Sequence, residues 1–316
     1  MKNRFINILK INKKFQIILN DCKEIVEKVN TSKLKGKKIL ILGSNSFLST
    51  YIQTIIFLLN KKKNYKINTI SISKNNPKEN LKILLNGDKN FKFIKLNLNN
   101  NKRFENIIKR KFDYIFICAT YGQPGKWMNN QMETFNLNVN LLNKIFSTKK
   151  KEKCKFMFFS SADVYGDTKT NLNKPIKENF KSSVEPSSPR SMYGMSKRMG
   201  ETLCHYYRNY HKMKIYIIRA AHTYGPGMEI NDKRVIIEFF RKAKNGKIDL
   251  LDEGKSIKTY GYIGDIAEMF FNIILHGKNH TYNTCGRDYI SIISLAKKIK
   301  KLFKNCKLSV PQKNIK

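Results

Sequence analysis

Lys38-Ile39-Leu40-Ile41-Leu42-Gly43-Ser44-Asn45-Ser46-Phe47-Leu48-Ser49 is a short apolar strand that meets a glycine and a polar turn, then runs directly into a helical pattern over 47–59. Short apolar runs of the same kind recur at 67–72, 91–96, 114–119, 155–160 and 214–219, each suited to a strand buried on both faces. Helical patterns fall at 104–109, 132–146, 193–211, 234–244 and 263–275. This α/β alternation predicts a doubly wound parallel sheet with ligands at the carboxyl ends of its strands. Residues 1–34 read as a helical extension, with an amphipathic helix at 15–29 packed on the outside. Residues 35–221 form mainly the sheet domain, from which 166–190 departs to a smaller lobe, and 222–316 form mainly that substrate lobe, with 263–275 returning to the sheet. A last helix is expected around 294–303, after which the C-terminus is short.

At 316 residues and 41% hydrophobic, the chain can bury a sizeable core. Its net charge of +39 invites nucleic acid as a partner, but the lysines are spread along the whole chain among Asn and Ile rather than gathered in one arm. They read as a solvated surface, with no specific nucleic-acid site. The six cysteines show no metal-binding or redox spacing, so no metal is expected and a reducing, cytoplasmic setting fits. No apolar run reaches the length of a membrane span.

The turn after the first strand is where a dinucleotide fold places its glycine-rich phosphate loop, with Phe47 and Leu48 opening the helix. Gly43 is the first of the three usual glycines; Ser46 and Ser49 stand at the other two, and the Ser46 hydroxyl is placed to donate to phosphate. The second strand ends Ser71-Ile72-Ser73-Lys74, without the acid that holds a ribose 2′-hydroxyl, so NAD and NADP both stay open. Asn97 and Leu98 end the third strand, where an adenine contact is expected. Ala119 ends the fourth, beside the diphosphate and ribose.

Tyr193 and Lys197 lie four apart at the start of the helical stretch 193–211, on one face, after a strand ending in Ser160-Ser161. Tyr165/Lys169 and Tyr210/Lys214 share the spacing, but lie in a turn and across a helix-to-strand junction. Context therefore selects Tyr193.

Taken with Ser160-Ser161-Ala162-Asp163-Val164-Tyr165-Gly166, Arg219-Ala220-Ala221-His222-Thr223-Tyr224-Gly225-Pro226-Gly227 and Tyr282-Asn283-Thr284, these segments resemble the extended short-chain dehydrogenase/reductase family of nucleotide-sugar epimerases, dehydratases and decarboxylases, over roughly 35–302. The resemblance implies a Rossmann domain, bound NAD, a nucleoside-diphosphate sugar and a homodimer formed through the helices at 132–146 and 193–211. It implies that Tyr193 is the base for a sugar hydroxyl, that Lys197 lowers its pKa and holds the nicotinamide ribose, and that Ser161 bonds the same sugar oxygen. Asp163 follows Ala162, where a 4,6-dehydratase carries two acids, which counts against dehydration and leaves decarboxylation level with 4-epimerisation. Gln123, His222, Arg234, Lys258 and Arg287 are candidates for the substrate, the cations for its diphosphate; Lys258 stands where the family has Arg, and His222 where it has Asn. The implied role is an enzyme making a surface-polysaccharide precursor. Ser46, Ser49, Ala162, Lys258 and the short C-terminus keep a catalytically silent dinucleotide-binding relative as the alternative.

Overall fold

The structure is a computed structural model that describes residues 13–99, 101–166, 175–181 and 183–311. In chain order the main elements are α1 (Lys13–Lys28), β1 (Lys38–Leu42), α2 (Phe47–Lys62), β2 (Asn68–Ser73), α3 (Glu79–Leu85), β3 (Phe91–Lys95), α4 (Lys102–Ile108) and β4 (Tyr114–Ile117). They continue with α5 (Pro124–Asn129), α6 (Gln131–Phe135), α7 (Leu141–Lys149), β5 (Lys155–Ser161), α8 (Ser191–His211), β6 (Lys214–Ala220), β7 (His222–Tyr224) and α9 (Val235–Lys244). The last are β8 (Lys247–Asp249), β9 (Ile257–Tyr262), α10 (Ile263–His276), β10 (Thr281–Thr284), β11 (Tyr289–Ser291), α11 (Ile292–Lys301) and β12 (Lys307–Ser309).

Seven parallel strands order as β10-β6-β5-β4-β1-β2-β3. The reversal of direction lies between β1 and β4, so the crevice above their carboxyl ends is the place where this topology takes a ligand. Alternate strand residues feed two apolar layers. Ile39, Ile41, Phe116, Met157 and Ile218 face α1, α2 and α10, while Leu40, Leu42, Ile115, Phe156 and Ile217 face α4, α7 and α8.

The N-terminal helix is more than a covering. Cys22 and Val26 are fully buried, and the Asp21 carboxylate accepts from Tyr51 Oη and Tyr262 Oη, each at 2.8 Å, which ties α1 to α2 and to the junction of β9 with α10. The helix expected over 132–146 is broken into α6, a π-helical turn at Asn136–Asn140 and α7. The π turn brings fully buried Asn138 to α8, where its Nδ2 donates to Ser196 Oγ at 3.0 Å. Helix α3 has only seven residues, too short for a periodic signal to declare itself.

Past β6 the chain builds a second core from α9, α11 and the β8/β12 pair, with Phe239, Ile248 and Leu295 among its buried members. Beside it lies a three-stranded sheet in which β9 is central, parallel to β7 and antiparallel to β11. Within 166–190 the residues 167–174 and 182 lie outside the described residues. The described part clamps onto the ends of β6 and β10: Arg219 Nη1 donates to Glu178 O, and Asn283 N to Glu178 Oε1, both at 2.8 Å.

Candidate active site

The phosphate-turn region folds as a strand-to-helix connection in which a side chain is excluded at Gly43. Its φ is +78°, and a Cβ there would stand 2.6 Å from the Ala119 backbone. Gly43 and Ala119 are thus brought together, β1 against β4. The two serines do something the sequence did not announce. Ser46 caps α2: its Oγ accepts from Ser49 N at 3.2 Å and donates to Ser49 Oγ at 2.9 Å, while Ser49 Oγ also bonds Gly43 O at 3.0 Å. The Ser46 hydroxyl thus serves here as a local cap, with a helix amide and a second hydroxyl within reach. Helix geometry leaves the amides of Phe47 and Leu48 without an intrahelical acceptor, pointing out of the N-terminus.

Two side chains brace the turn. Gln53 Nε2 donates to Ser44 O at 2.7 Å, and Asn45 Nδ2 donates to the carbonyls of Asn75 and Asn76 beyond β2. Around it, Ser44 Oγ, Asn45 Oδ1, Ser71 Oγ and Thr120 Oγ1 are buried with no hydrogen-bond partner among the described residues. A cradle closed to any Cβ, free helix-terminal amides and a rim of buried, unanswered polar atoms fit a dinucleotide diphosphate and ribose. Leu98 is buried after β3, and Asn97 Oδ1 accepts from Asn99 N in a local turn, so Asn97 offers its amide group at the surface.

The reacting groups converge at the ends of β5 and α8. Gly200 lets α8 lie close to β5, since a Cβ there would meet Phe158 at 2.7 Å and Asn138 O at 2.8 Å. Lys197 is thereby buried against the strand, its Nζ donating to Phe159 O at 2.6 Å and standing 6.0 Å from the centre of the Tyr193 ring. Burial disfavours the charged form and brings the lysine to about 7. Tyr193, also buried, is raised well above an ordinary phenol by burial and by the Asp163 charge. Its hydrogen bond to Ser161 and the Arg234 cation act in the opposite direction. Ser161 and Arg234, rather than Lys197, are the groups that act to lower the Tyr193 pKa in this structure.

Ser161 Oγ donates to Asp163 Oδ2 at 2.8 Å, so Ser161, Asp163, Tyr193 and Lys197 form one constellation. Two members were not read from the sequence. Trp127, the chain's single tryptophan, stacks on Tyr193 with ring centres 5.4 Å apart, and the Arg190 guanidinium lies over the indole ring at 5.9 Å while standing 3.8 Å from Asp163. Nothing in the spacing of either residue could have placed it there, since Trp127 comes from the short helix α5 and Arg190 from the turn before α8.

Gln123, Asp232 and Arg234 form a second cluster. Gln123 Nε2 donates to buried Asp232 Oδ2 at 2.9 Å, and Arg234 engages the same carboxylate at 2.6 Å while lying over the Phe47 ring. Burial acts to raise the Asp232 pKa, but the Arg234 and Gln123 hydrogen bonds outweigh it and hold the carboxyl below its usual range. Arg234 therefore stands beside the phosphate turn rather than deep in the small lobe. His222 and Lys258 come from adjacent strands, and the His222 pKa is lowered, by desolvation first and by Lys258 second, which leaves a neutral imidazole at neutral pH. Arg287 is exposed in the turn between β10 and β11, and no contact among the described residues joins it to the rest.

With the geometry in place, comparison with known proteins gives a consistent answer. A sequence model described as the NAD dependent epimerase/dehydratase family matches residues 39–285. The chain belongs to that family. A curated UDP-glucuronic acid decarboxylase 1 of Xenopus tropicalis is 27% identical over 192 residues, which cover 60% of this chain and 45% of the relative. The match thus spans about half the length of the relative. Among solved structures, a Bacillus cereus UDP-glucuronic acid 4-epimerase in complex with UDP-glucuronic acid and NAD superposes with a TM-score of 0.68 at 21% identity, covering 87% of each chain. A Bacillus anthracis dTDP-glucose 4,6-dehydratase in complex with NAD gives 0.69 at 18%, covering 88% of this chain and 86% of that one. The family's cofactor is NAD, which agrees with the cradle around Gly43. Among the described residues no cluster is fit to hold a metal ion, and no helix is long and apolar enough to cross a membrane.

The Lys197 shift carries a pH dependence. Its folded pKa lies below the unfolded value, so the unfolded state binds the extra proton between about 7 and 10.5, and stability rises with pH across that window. In dinucleotide-free protein, Lys197→Met is expected to remove this slope, gaining stability relative to the parent progressively as pH falls from about 10.5 and most fully at and below about pH 7, by several kcal/mol in order of magnitude. Urea unfolding of both proteins at pH 6, 7.5 and 9 checks it; parallel curves would refute the assignment.

Proposed function

We propose that the protein oxidises the C4 hydroxyl of a nucleoside-diphosphate uronic acid, releases the C6 carboxylate as carbon dioxide from the resulting 4-keto sugar, and then reduces the ketone. The observation that carries this reading is the Ser161–Tyr193–Lys197 constellation at the mouth of a dinucleotide cradle. NAD in that cradle supplies a hydride acceptor that returns the same hydride at the end, so the net reaction needs no outside oxidant.

Tyr193 Oη takes the proton of the C4 hydroxyl as the C4 hydrogen leaves as hydride, and Ser161 holds that oxygen in line. A phenol kept neutral by burial needs a cation to ionise. Lys197 in its charged form would provide one and would be placed to hold a nicotinamide ribose, and Arg234 already acts in that direction. With the ketone formed, the bond from C5 to the carboxylate breaks and its electron pair enters the enolate. C5 then takes a proton, and Tyr193 returns its own to the C4 oxygen as hydride arrives. Ala162 supports this outcome over dehydration, because no acid stands there for a departing C6 hydroxyl. The Xenopus relative's name and the Bacillus cereus complex supply the uronic acid, and Arg190 gives the site a cation near Asp163 for a substrate carboxylate. Epimerisation at C4 is the second reading, favoured by that Bacillus cereus neighbour and requiring only that the keto sugar turn over before reduction. A role in supplying surface-polysaccharide precursors in the cytoplasm goes with either product.

Incubation of the protein with UDP-glucuronic acid and NAD is expected to release carbon dioxide and a UDP-pentose, read by mass spectrometry. A product of unchanged mass would instead identify the epimerase, and no product from any nucleotide sugar would overturn both. Tyr193→Phe should lower turnover by about 100-fold or more with cofactor binding retained.

We also infer a homodimer. Met195, Met199, Tyr206 and Tyr210 leave large apolar areas exposed along α8, and Met132 adds another on α6. Light scattering should give twice the chain mass, and Met199→Glu should return the monomer; a monomeric parent protein would contradict it.

A further inference from the structure

The second strand ends without an acid, and from Ser73 to Lys78 the chain offers none. A carboxylate reaches that place from elsewhere. Glu133, on α6, lies with Oε1 3.1 Å from Lys74 Nζ, the first residue after β2, and its Oε2 accepts from Tyr121 Oη at 2.8 Å. Tyr121 follows the end of β4 by a few residues, and the loop after β2 is tied to the phosphate turn through Asn45. The three side chains therefore meet at the rim of the same crevice, where this fold brings the adenosine ribose.

We propose that Glu133 selects NAD over NADP by standing in for the missing acid of β2. A carboxylate offers about four acceptor positions, and Tyr121 and Lys74 use two, which leaves Glu133 able to accept from a ribose 2′-hydroxyl. A 2′-phosphate in the same place meets a negative charge. The cation that sequence alone offers to that phosphate, Lys74, is already held by Glu133. The ion pair thus acts twice against NADP, by repulsion and by sequestering Lys74. Half-exposed Lys74 and Glu133, at 55% and 24% of side-chain surface, remain accessible to a ligand.

The inference rests on the cofactor reading of the Gly43 cradle, and the test separates the two. NADH and NADPH are titrated against dinucleotide-free full-length protein, with nucleotide fluorescence as the readout. The unmodified protein is expected to bind NADH more tightly. Glu133→Gln should shift the ratio of the two dissociation constants toward NADPH by about tenfold, the size of one hydrogen bond to a charged group. Tyr121→Phe, which only loosens Glu133, should move it less in the same direction. Adding Lys74→Ala to Glu133→Gln should abolish the gain in NADPH binding. An unchanged ratio in Glu133→Gln, or equal binding of both nucleotides by the parent, would overturn this inference alone; binding of neither would overturn the cofactor site beneath it.

Discussion

A lysine sealed between a helix and a strand organises this molecule. Lys197 can reach Phe159 O only because α8 lies unusually close to β5, and α8 can lie there only because position 200 has no side chain. The same approach sets Tyr193 over the end of β5, next to Ser161, and brings Ser196 to Asn138 in the π turn. Burial works against the charged form of both groups, lowering the lysine and raising the phenol. Reactivity in such a site depends on what enters it, since a ligand with hydroxyls for the ammonium and charge for the phenolate reverses both penalties.

The sheet's other half solves a different problem with unusual residues. Two of the three glycines expected in a phosphate turn are serines, yet the turn retains its shape. Gly43 meets the steric demand against Ala119, and the serines are satisfied by each other and by Gly43 O. Ser46 becomes a helix cap, which preserves the N-terminus of α2 as the end of a dipole with two amides to offer. The departures from the family pattern therefore cost less than their number suggests.

Much of this was legible in the order of residues. The six parallel strands expected from the runs at 38–42 through 214–219 are present, because a strand buried on both faces must be apolar throughout and short. Tyr193 and Lys197 were legible because helical periodicity fixes what lies four residues on. The seventh strand, β10, is Thr281–Thr284, too polar to announce itself as a buried run. The buried place of Asn138 was not legible, since a π turn has no distinct signature in sequence. Trp127, Arg190 and Glu133 were out of reach altogether, for each enters the site through contacts that depend on how segments distant in sequence meet. The partner of Lys74 is 59 residues away, beyond the reach of any local pattern.

Catalysis of the kind proposed requires that the serine-capped cradle hold a dinucleotide. Denaturing the purified protein and identifying the released small molecule by mass spectrometry tests that most directly. Release of NAD in near-stoichiometric amount is the predicted result. An empty protein whose melting temperature is also unmoved by added NAD would contradict it.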